Sequence, residues 1–363
     1  MTAPSRIPSA SSSTPSRFVA DQSEFSGLEG AYLSPARMAA VLLGMAALLA
    51  LTMIVAVAYG TVRIDLFRAL AQPVSADHAI LFSARLPRVL MGAVVGAVLA
   101  AVGAALQGLV RNPLAEGGIL GISSGGAFGA ILALTLGFRF GGPIATVPLC
   151  AFVMALLSTL AVYRLALVNG RLEPFSLLLI GVIFNAFWAA LILLVNALVD
   201  LYHSQSIIAW LMGSLEAPTY YEVALVGALG LGGFAILFMR ARDMNLLSLG
   251  DDAAADLGVN IEGLRRTIFI TTSVMIGAAV SVSGIISFVG LIVPHILRLM
   301  FGADHRLLLP ASLLGGGALL VAADLVARTV IAPAELPVGV ITALCGGPFF
   351  IYLLRREERR SLE

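Results

Sequence analysis

Residues 89–110 read VLMGAVVGAVLAAVGAALQGLV, a stretch without a single charged side chain. An α-helix of this length reaches across most of the roughly 30 Å hydrocarbon core of a bilayer. Other apolar stretches of spanning length lie before and after it. Together the stretches cover residues 38–58, 89–110, 117–137, 143–162, 175–198, 222–239, 267–286, 287–302, 308–331 and 336–354. The sequence therefore predicts an all-α polytopic membrane protein with about ten transmembrane helices.

Composition supports the same fold class. Hydrophobic residues make up 59% of the 363 positions and charged residues only 12%, whereas about 25% of the residues in soluble domains are charged. The seventh and eighth stretches follow each other directly, and only Ser283, Gly284 and Ser287 mark a break between them. We expect the seventh helix to end at these residues.

Lysine is absent from the chain, so all 22 basic residues are arginines. The phosphate-binding loop of an ATPase uses a lysine that reaches the β- and γ-phosphates. The chain therefore lacks a site of that kind, and any ATP chemistry has to come from a partner.

Cysteines and histidines show no pattern typical of a metal site. Cys150 and Cys345 lie within apolar stretches, and the four histidines lie far apart without the spacing of metal ligands. The 22 basic and 21 acidic residues nearly cancel, so the net charge does not indicate a nucleic-acid partner. Membrane lipid is the partner that the composition does predict.

Both ends of the chain are polar. Residues 1–34 are rich in Ser, Pro and Thr and are predicted to form a disordered tail. The transmembrane domain is expected over residues 35–356, and a short second tail over residues 357–363. If ten spans place both ends on the same side, 16 arginines lie inside and 6 outside. This bias predicts that the N- and C-termini are cytoplasmic.

A spacing of glycine and proline occurs twice, 181 positions apart. The pattern G-A-x5-G-x9-P begins at Gly96 in the first copy and at Gly277 in the second. The two copies would cross the membrane in opposite directions, which indicates an inverted repeat with halves of about 85–200 and 266–354. Gly96 and Gly103 are expected to be structural residues of the first half. Chance similarity among helices rich in Gly and Ala is the alternative.

Short motifs follow one another over about residues 40–355: Arg85-Leu-Pro-Arg88, Arg111-Asn-Pro-Leu-Ala115, Leu120-Gly-Ile-Ser-Ser-Gly125, Trp210-Leu-Met-Gly-Ser-Leu215, Leu249-Gly-Asp-Asp252, Ser287-Phe-Val-Gly-Leu-Ile-Val-Pro-His295, Gly302-Ala-Asp-His-Arg306, Ala323-Asp-Leu-Val-Ala-Arg328 and Glu335-Leu-Pro-Val-Gly339. In this order they resemble the permeases of bacterial iron-chelate and vitamin B12 ABC importers, the FecCD type. One departure is Gly117, where the family more often has a proline that would stiffen the turn.

The resemblance implies a type II ABC importer permease fold with ten helices, located in the bacterial inner membrane. It implies a homodimer with a second copy of the chain, two cytoplasmic ATPase subunits and a periplasmic substrate-binding protein. ATP and Mg²⁺ are then expected on the ATPase subunits, and this chain is expected to be a non-catalytic permease subunit, not an enzyme, without a cofactor of its own. The later half of the chain most resembles haem-importing members, with a ferric siderophore or vitamin B12 as alternative substrates. An ion-coupled secondary carrier is the alternative class. Such carriers commonly bury several titratable groups, whereas Asp324 is almost the only carboxylate within a predicted span.

The polar segment at residues 240–266 predicts a short cytoplasmic helix. Gly250 can end the preceding turn, two acids favour a helix N-terminus, and Gly258 suits the C-terminal end. By resemblance, this is the coupling helix that contacts the ATPase. The coupling residues implied in this way are Gly250, Asp251, Asp252, Ala253, Ala254, Asp256, Leu257 and Gly258.

At the inner end of the second span, Pro113 cannot continue the hydrogen bonds of a helix, so the chain must turn. The resemblance to vitamin B12 permeases implies that Asn112 and Leu114 narrow the inner mouth of the pathway. The predicted cytoplasmic gate is therefore Asn112, Pro113 and Leu114, and an ordinary helix-ending turn is the alternative. Pro294 and His295 are expected to have a structural role in packing or at the inner gate, rather than to bind haem.

Asp324 and Arg328 lie four residues apart, on one face of a helix, and are predicted to pair within the membrane. The resemblance implies that Arg85, Arg88 and Arg328 form the docking charges for the binding protein on the outer rim. Pro87, between two of these arginines, is expected to fix the start of the second span. Contact of the arginines with lipid phosphates is the alternative.

Overall fold

The computed structural model of this chain describes residues 34–137, 143–216 and 218–362. The chain divides into two units, Met1–Ala40 and Val41–Glu363. The predicted N-terminal tail, apart from Ser34, lies outside the described residues. The contacts reported below belong to the second unit.

Helices dominate the described residues. In chain order they are α1 (Pro35–Ala58), α2 (Leu66–Ala71), α3 (Ala76–Ala79), α4 (Leu86–Val110), α5 (Ile122–Leu136), α6 (Pro143–Leu165), α7 (Pro174–Leu198), α8 (Leu201–Leu211), α9 (Tyr220–Met239), α10 (Ala241–Leu247), α11 (Asp251–Asp256), α12 (Ile261–Ser283), α13 (Val289–Phe301), α14 (His305–Thr329) and α15 (Val338–Leu362). Between α6 and α7, the short strands β1 (Leu167–Val168) and β2 (Arg171–Leu172) pair antiparallel. This ribbon is a local exception to the all-helical prediction. The last helix continues through the predicted C-terminal tail as far as Leu362.

The number of apolar helices agrees with the sequence. Among the described residues, seven helical segments are long and apolar enough to cross a membrane, and three shorter apolar helices accompany them, namely α5, α13 and the first part of α15. Seven and three give the ten segments that were predicted, so the polytopic helical class is confirmed. The largest difference is at the second span, whose helix begins at Ala76 rather than at residue 89.

The helical segment that contains α4 therefore does not start at Pro87. A π-helical turn over Ile80–Arg85 joins α3 to α4, and the N–H of Leu86 donates to the carbonyl of Leu81. Proline has no N–H, and in a regular α-helix its ring collides with the carbonyl four residues earlier. The wider π turn directly before Pro87 relieves this conflict. Pro87 is the second residue of the regular helix α4, as predicted, and α3 and the π turn extend the helical segment before it.

The order of helices in the second part of the chain repeats that in the first. Helices α4 to α7 contain 25, 15, 23 and 25 residues, and α12 to α15 contain 23, 13, 25 and 25. The first residues of α4 and α12 are 175 positions apart (261 minus 86), and those of α6 and α14 are 162 apart (305 minus 143). Both separations differ from the 181 positions that separate the two copies of the glycine and proline pattern. The residues aligned at 181 therefore differ in local structure. Gly103 lies inside α4, whereas Gly284 ends α12.

Helices α4, α12 and α14 form the centre of the unit. Most of their residues are buried, whereas α1, α7 and α9 expose most of their apolar side chains. Exposed apolar faces of this kind contact lipid or another chain in a membrane. Helix α4 packs along α14 and also contacts α9, α12 and α13. It is the buried element whose two ends position the charged side chains of the site.

Close packing along α4 depends on glycine at two positions. Gly96 faces Gly316 of α14, and Gly103 faces Gly290 of α13. A Cβ atom at Gly96 or Gly103 would collide with the carbonyl oxygen of its partner. Small residues let helix backbones approach each other in a membrane. The two glycines that were expected to be structural therefore lie at helix crossings.

The break between α12 and α13 lies where Ser283, Gly284 and Ser287 predicted it. Gly284 has φ +66° and Phe288 has φ +70°, so the backbone leaves helical geometry on both sides of the break. The turn after α8 packs against it, and the N–H of Ser214 donates to the carbonyl of Ser283 at 2.9 Å. The predicted end of the seventh span is confirmed.

Candidate functional site

Charged side chains gather at both ends of α4, which are separated by about 37 Å because a helix of 25 residues rises about 1.5 Å per residue. We call the first group the N-end cluster and the second the C-end cluster. The N-end cluster consists of Arg85, Arg88, Asp324, Arg328 and Glu335. The C-end cluster consists of Arg111, Asp251 and Arg265.

Asp324 of α14 is the centre of the N-end cluster and is only 2% exposed. Its carboxylate accepts a hydrogen bond from Nε of Arg88 at 3.0 Å, and Nη2 of Arg88 lies 3.0 Å from Oδ1. On the other side, Nε of Arg328 lies 2.9 Å from Oδ2. The predicted Asp324–Arg328 pair is confirmed, and Arg88 is an additional partner.

Glu335, in the loop between α14 and α15, closes the cluster towards the surface. It accepts hydrogen bonds from Nη1 of Arg88 at 2.6 Å and from Oγ1 of Thr61 at 2.7 Å. Partial burial acts to raise the pKa of Glu335, but the hydrogen bonds from Thr61 and Arg88 outweigh it and lower the pKa. Glu335 is therefore ionised at neutral pH, and Arg88 has two carboxylate partners.

Arg85 binds backbone carbonyls rather than carboxylates. Its guanidinium group donates to the carbonyls of Val57 at 2.9 Å, Ala58 at 3.1 Å and Val62 at 2.6 Å. The last carbonyls of a helix have no partner within the helix, and a basic side chain commonly satisfies them. Arg85 thus ties the end of α1 to the π turn that precedes α4.

The predicted docking arginines lie together, but they are not free on a rim. Arg85 and Arg328 are 5% and 4% exposed, and the side chain of Arg88 is 12% exposed. A cavity of about 260 Å³ lies beside them and is also lined by Thr61 and Glu335. In the single chain, internal partners engage all three guanidinium groups. Docking of a binding protein here stays a prediction.

Asp251, the first residue of α11, is the centre of the C-end cluster. Arg265 of α12 donates through Nη2 to both of its carboxylate oxygens, at 3.0 and 2.8 Å. Arg111 forms an ion pair with the same carboxylate. The side chain of Arg265 is 11% exposed, whereas those of Arg111 and Asp251 are each 40% exposed. This cluster joins the end of α4 to the starts of α11 and α12 at the surface.

The predicted gate lies in the turn at residues 112–115, which we call the gate turn. It follows directly on Arg111, which has φ +49° and ends α4. Oδ1 of Asn112 accepts a hydrogen bond from the N–H of Leu114 at 2.9 Å. The carbonyl of Asn112 accepts one from the N–H of Ala115 at 3.1 Å. Together with Pro113, which stops the helix, these bonds shape the turn from within. A narrowing of the pathway by this turn stays a prediction.

The short helix predicted between the sixth and seventh spans is present as α11. It begins after Gly250, with φ +121°, and ends before Gly258, with φ +85°, conformations that favour glycine. Ala254 is buried, whereas Leu249 and Leu257, at the two ends, are 66% and 60% exposed. The remaining predicted coupling residues on this helix are Asp252, Ala253 and Asp256. ATPase binding at this helix stays a prediction.

A cavity of about 360 Å³ lies beside the gate turn, and its walls include Gln107, Asn112, His295 and Arg298. His295 follows Pro294 inside α13 and is buried. Its ring centroid lies 6.3 Å from that of Phe350 in an edge-to-face arrangement. This position fits the predicted role of His295 in packing beside the gate.

The loop between α4 and α5 contacts the break between α12 and α13. Oε2 of Glu116 accepts a hydrogen bond from the N–H of Phe288 at 3.1 Å. Burial raises the pKa of Glu116 to about 7, although the hydrogen bond from Phe288 acts in the opposite direction. A Cβ atom at Gly117 would lie 2.6 Å from Cδ1 of Ile276. The end of the Ile276 side chain thus packs directly beside this position.

Sequence reasoning missed the ion pairs that connect distant parts of the chain. Arg111 and Asp251 are 140 residues apart, and Arg88 and Asp324 are 236 apart. No periodicity links residues at such distances. The available signal was local, because an arginine ends one helix and an acid starts another, and it did not indicate which groups would pair.

Comparisons with known proteins agree with the geometry. The FecCD transport family matches residues 47–356. A cobalamin import system permease protein of Halobacterium salinarum is 45% identical over 280 residues, which cover 77% of this chain and 74% of that protein. A hemin transport system permease protein of Yersinia pestis is 42% identical over 285 residues, or 76% and 84%. A solved structure of a metal-chelate type ABC transporter, in an inward-facing conformation, has a TM-score of 0.77 at 32% identity, over 88% of this chain and 99% of that one.

The family match spans most of the chain and agrees with both the helix number and the order of the motifs. It decides between the two predicted classes in favour of the ABC importer over the ion-coupled carrier. Permeases of this kind are non-catalytic and act as dimers with separate ATPase subunits and a binding protein. The chain therefore belongs to the FecCD transport family and is a membrane permease of the ABC importer type.

Proposed function

We propose that a homodimer of this chain forms the membrane pathway of an importer in the bacterial inner membrane. A periplasmic binding protein delivers the substrate at the N-end cluster, and two cytoplasmic ATPase subunits bind at α11. In this arrangement both termini face the cytoplasm, which the distribution of arginines supports. ATP and Mg²⁺ are bound by the ATPase subunits, and this chain holds no cofactor.

One observation carries this proposal. The exposed Leu249 and Leu257 flank helix α11, which is attached through Asp251 to the C-terminal end of the buried α4. The opposite end of α4 carries the buried N-end cluster. A partner that moves α11 therefore acts on one end of a helix whose other end is held. This arrangement suits a permease that receives energy on one side and substrate on the other.

For the substrate, we propose an iron chelate, with haem as the first candidate. The similarity of the later half to haem-importing permeases supports haem, as does the 42% identity to a hemin transport permease. The 45% identity to a cobalamin permease supports vitamin B12 to a similar degree. A ferric siderophore is the third candidate. In such systems the binding protein largely sets selectivity, so transport has to be measured with it present.

The test is uptake into proteoliposomes that contain the permease, its ATPase subunits and its binding protein. Haem, a ferric hydroxamate siderophore and cyanocobalamin are offered separately, with and without ATP. We expect uptake that requires ATP and all subunits, is insensitive to an uncoupler and is fastest for haem. Uptake without the ATPase that collapses with an uncoupler would contradict the importer. If uptake depends on ATP but is faster for another compound, the importer is retained and only haem is replaced as the substrate.

At the outer end, we propose that the binding protein docks on Arg85, Arg88 and Arg328, and that Arg88 makes the direct contact. Arg88 is the most exposed of the three. It lies beside Glu335, whose side chain is 28% exposed. In a homodimer this patch occurs twice, so that it can meet an acidic residue on each lobe of one binding protein.

A further inference from the structure

We infer that Asp251 is a positioning residue that connects the coupling helix α11 to the gate turn. We call Asp251 with its two arginine partners, Arg111 and Arg265, the Asp251 bridge. The inference rests on the proposed function and deepens it. It states which contact carries the movement of the ATPase to the inner mouth of the pathway.

Arg265 holds one side of the Asp251 bridge firmly in place. Arg265 donates to both carboxylate oxygens of Asp251, at 3.0 and 2.8 Å. It also donates through Nη1 to the carbonyl of Leu172 at 3.4 Å. Glu262, one turn before Arg265, accepts the N–H of Leu172 at 2.9 Å. The start of α11 is therefore attached to α12 and, through it, to the β1–β2 ribbon.

On the other side of the bridge, the contact between Arg111 and Asp251 is able to open and close. The side chains of Arg111 and Asp251 are each 40% exposed, and they join through one guanidinium nitrogen. An exposed ion pair contributes little to folding stability, because water solvates both charges when the pair opens. The Arg111 contact can therefore break and form again without loss of the fold. Its effect is expected in coupling between the subunits rather than in stability.

Arg111 is also well placed to pass a displacement on. It is the residue with φ +49° that ends α4, and the gate turn follows it directly. The hydrogen bonds from the N–H groups of Leu114 and Ala115 to Asn112 make the turn a compact unit. A pull on the side chain of Arg111 thus moves Asn112 and Leu114 together. Without the bridge, α11 can follow the ATPase while the turn stays in place.

The experiment uses the full complex in proteoliposomes, with whichever of haem, a ferric hydroxamate siderophore or cyanocobalamin the wild type transports fastest. The measured quantity is substrate transported per ATP hydrolysed. For Arg111→Gln we expect this ratio to fall about 5-fold or more, in the range found for residues that couple distant sites. Arg111→Lys keeps the charge at Asp251 and should recover much of the loss.

The matched control is Arg306→Gln. Arg306 is half-exposed and pairs with Asp304 only two residues away, at 2.6 Å, so the same substitution removes a local ion pair. We expect its transport ratio to equal that of the wild type. Two further readouts separate positioning from structure. Arg111→Gln should retain the ATPase during purification and should keep the melting temperature of the wild type.

Spin labels test the movement directly. With Cys150 and Cys345 replaced, Leu257→Cys reports on α11 and Leu114→Cys on the gate turn. Addition of a non-hydrolysable ATP analogue should displace both labels when Arg111 is present, and only the label at position 257 in Arg111→Gln. An unchanged transport ratio in Arg111→Gln, or loss of its ATPase subunits, would overturn the inference. This result differs from the one expected if the proposed function is wrong, because the wild type itself would then transport substrate without its ATPase subunits.

Discussion

The two ends of α4 carry the same chemical group in opposite surroundings. At each end one aspartate lies between two arginines: Asp324 between Arg88 and Arg328, and Asp251 between Arg111 and Arg265. Asp324 is 2% exposed, whereas the side chain of Asp251 is 40% exposed. Composition alone does not distinguish the clusters. Burial decides which of them holds the helices together and which is able to move.

The energetic consequence follows from solvation. Removing one partner of a buried ion pair leaves the other charge buried and unpaired. This lowers the free energy of unfolding by about 3–5 kcal/mol. An exposed pair contributes only about 0.2–1 kcal/mol, because water replaces the lost partner. The N-end cluster therefore fixes α4 against α14. In the C-end cluster, the exposed contact between Arg111 and Asp251 can open and close during a transport cycle at little cost, while Arg265 stays bound to Asp251.

The largest predicted effect is the loss of the buried carboxylate. Asp324→Asn removes the charge shared by Arg88 and Arg328, and we expect the free energy of unfolding to fall by about 3–5 kcal/mol. Arg111→Gln, which removes the exposed ion pair with Asp251, is the matched change at the other end and should cost about 1 kcal/mol or less. Unfolding of the purified protein in mixed micelles measures both. Equal losses in the two variants would remove the distinction between the clusters.

A double substitution sharpens the same point. Asp324→Leu alone removes the ion pair of Arg328 with Asp324, whereas Arg88 keeps its ion pair with Glu335. Adding Arg328→Met removes the stranded charge, and we expect it to recover about 2 kcal/mol of the loss. The single and double variants are compared by the same unfolding measurement. A double variant that is less stable than Asp324→Leu would show that Arg328 contributes chiefly by packing or through its bond to the carbonyl of Ala56.

What the sequence predicted well follows from local chemistry. Apolar stretches located the ten spanning or shorter apolar helices, and Gly250 and Gly258 located the ends of α11. The break at Ser283 and Gly284 was also visible, because small and polar residues interrupt an otherwise continuous apolar run. Each of these signals lies within a few residues of the feature that it predicts.

What the sequence could not show depends on how distant segments pack. The burial of Arg85 results from the approach of the end of α1, and the burial of Arg328 from its packing inside the unit. The residues next to each arginine in the sequence do not indicate these contacts. Pro87 correctly indicated the start of the regular helix α4, but the sequence did not show that α3 and a π turn extend the helical segment back to Ala76. The role of each arginine had therefore to be read from its partners.

Docking of the binding protein tests the N-end cluster at its exposed edge. Arg88→Glu should weaken the affinity of the permease for the binding protein about ten-fold or more at low salt, because it reverses the charge of the proposed docking residue and places a carboxylate beside Asp324 and Glu335. An acid-to-Arg change on the binding protein should restore part of the loss. Arg68→Glu is the control, since Arg68 is exposed and at the same end of α4's helical segment. Unchanged affinity in Arg88→Glu would favour contact with lipid phosphates.

The smallest predicted effect concerns a carboxylate that has no arginine partner among the described residues. Burial raises the pKa of Glu116 to about 7, above the value of about 4.3 expected in an unfolded chain. Between these values the folded protein binds more protons than the unfolded one, so stability falls as the pH rises from about 4 to about 7. In Glu116→Gln the side-chain amide oxygen can still accept the hydrogen bond from the N–H of Phe288, but the side chain does not titrate. The stability of this variant therefore lacks this dependence on pH. We expect the melting temperature of the wild type to fall by a few degrees more than that of Glu116→Gln between pH 5 and pH 8. Parallel curves for the two proteins would mean that Glu116 is solvated like a surface carboxylate, and the contrast between paired and unpaired buried acids would then not extend to this loop.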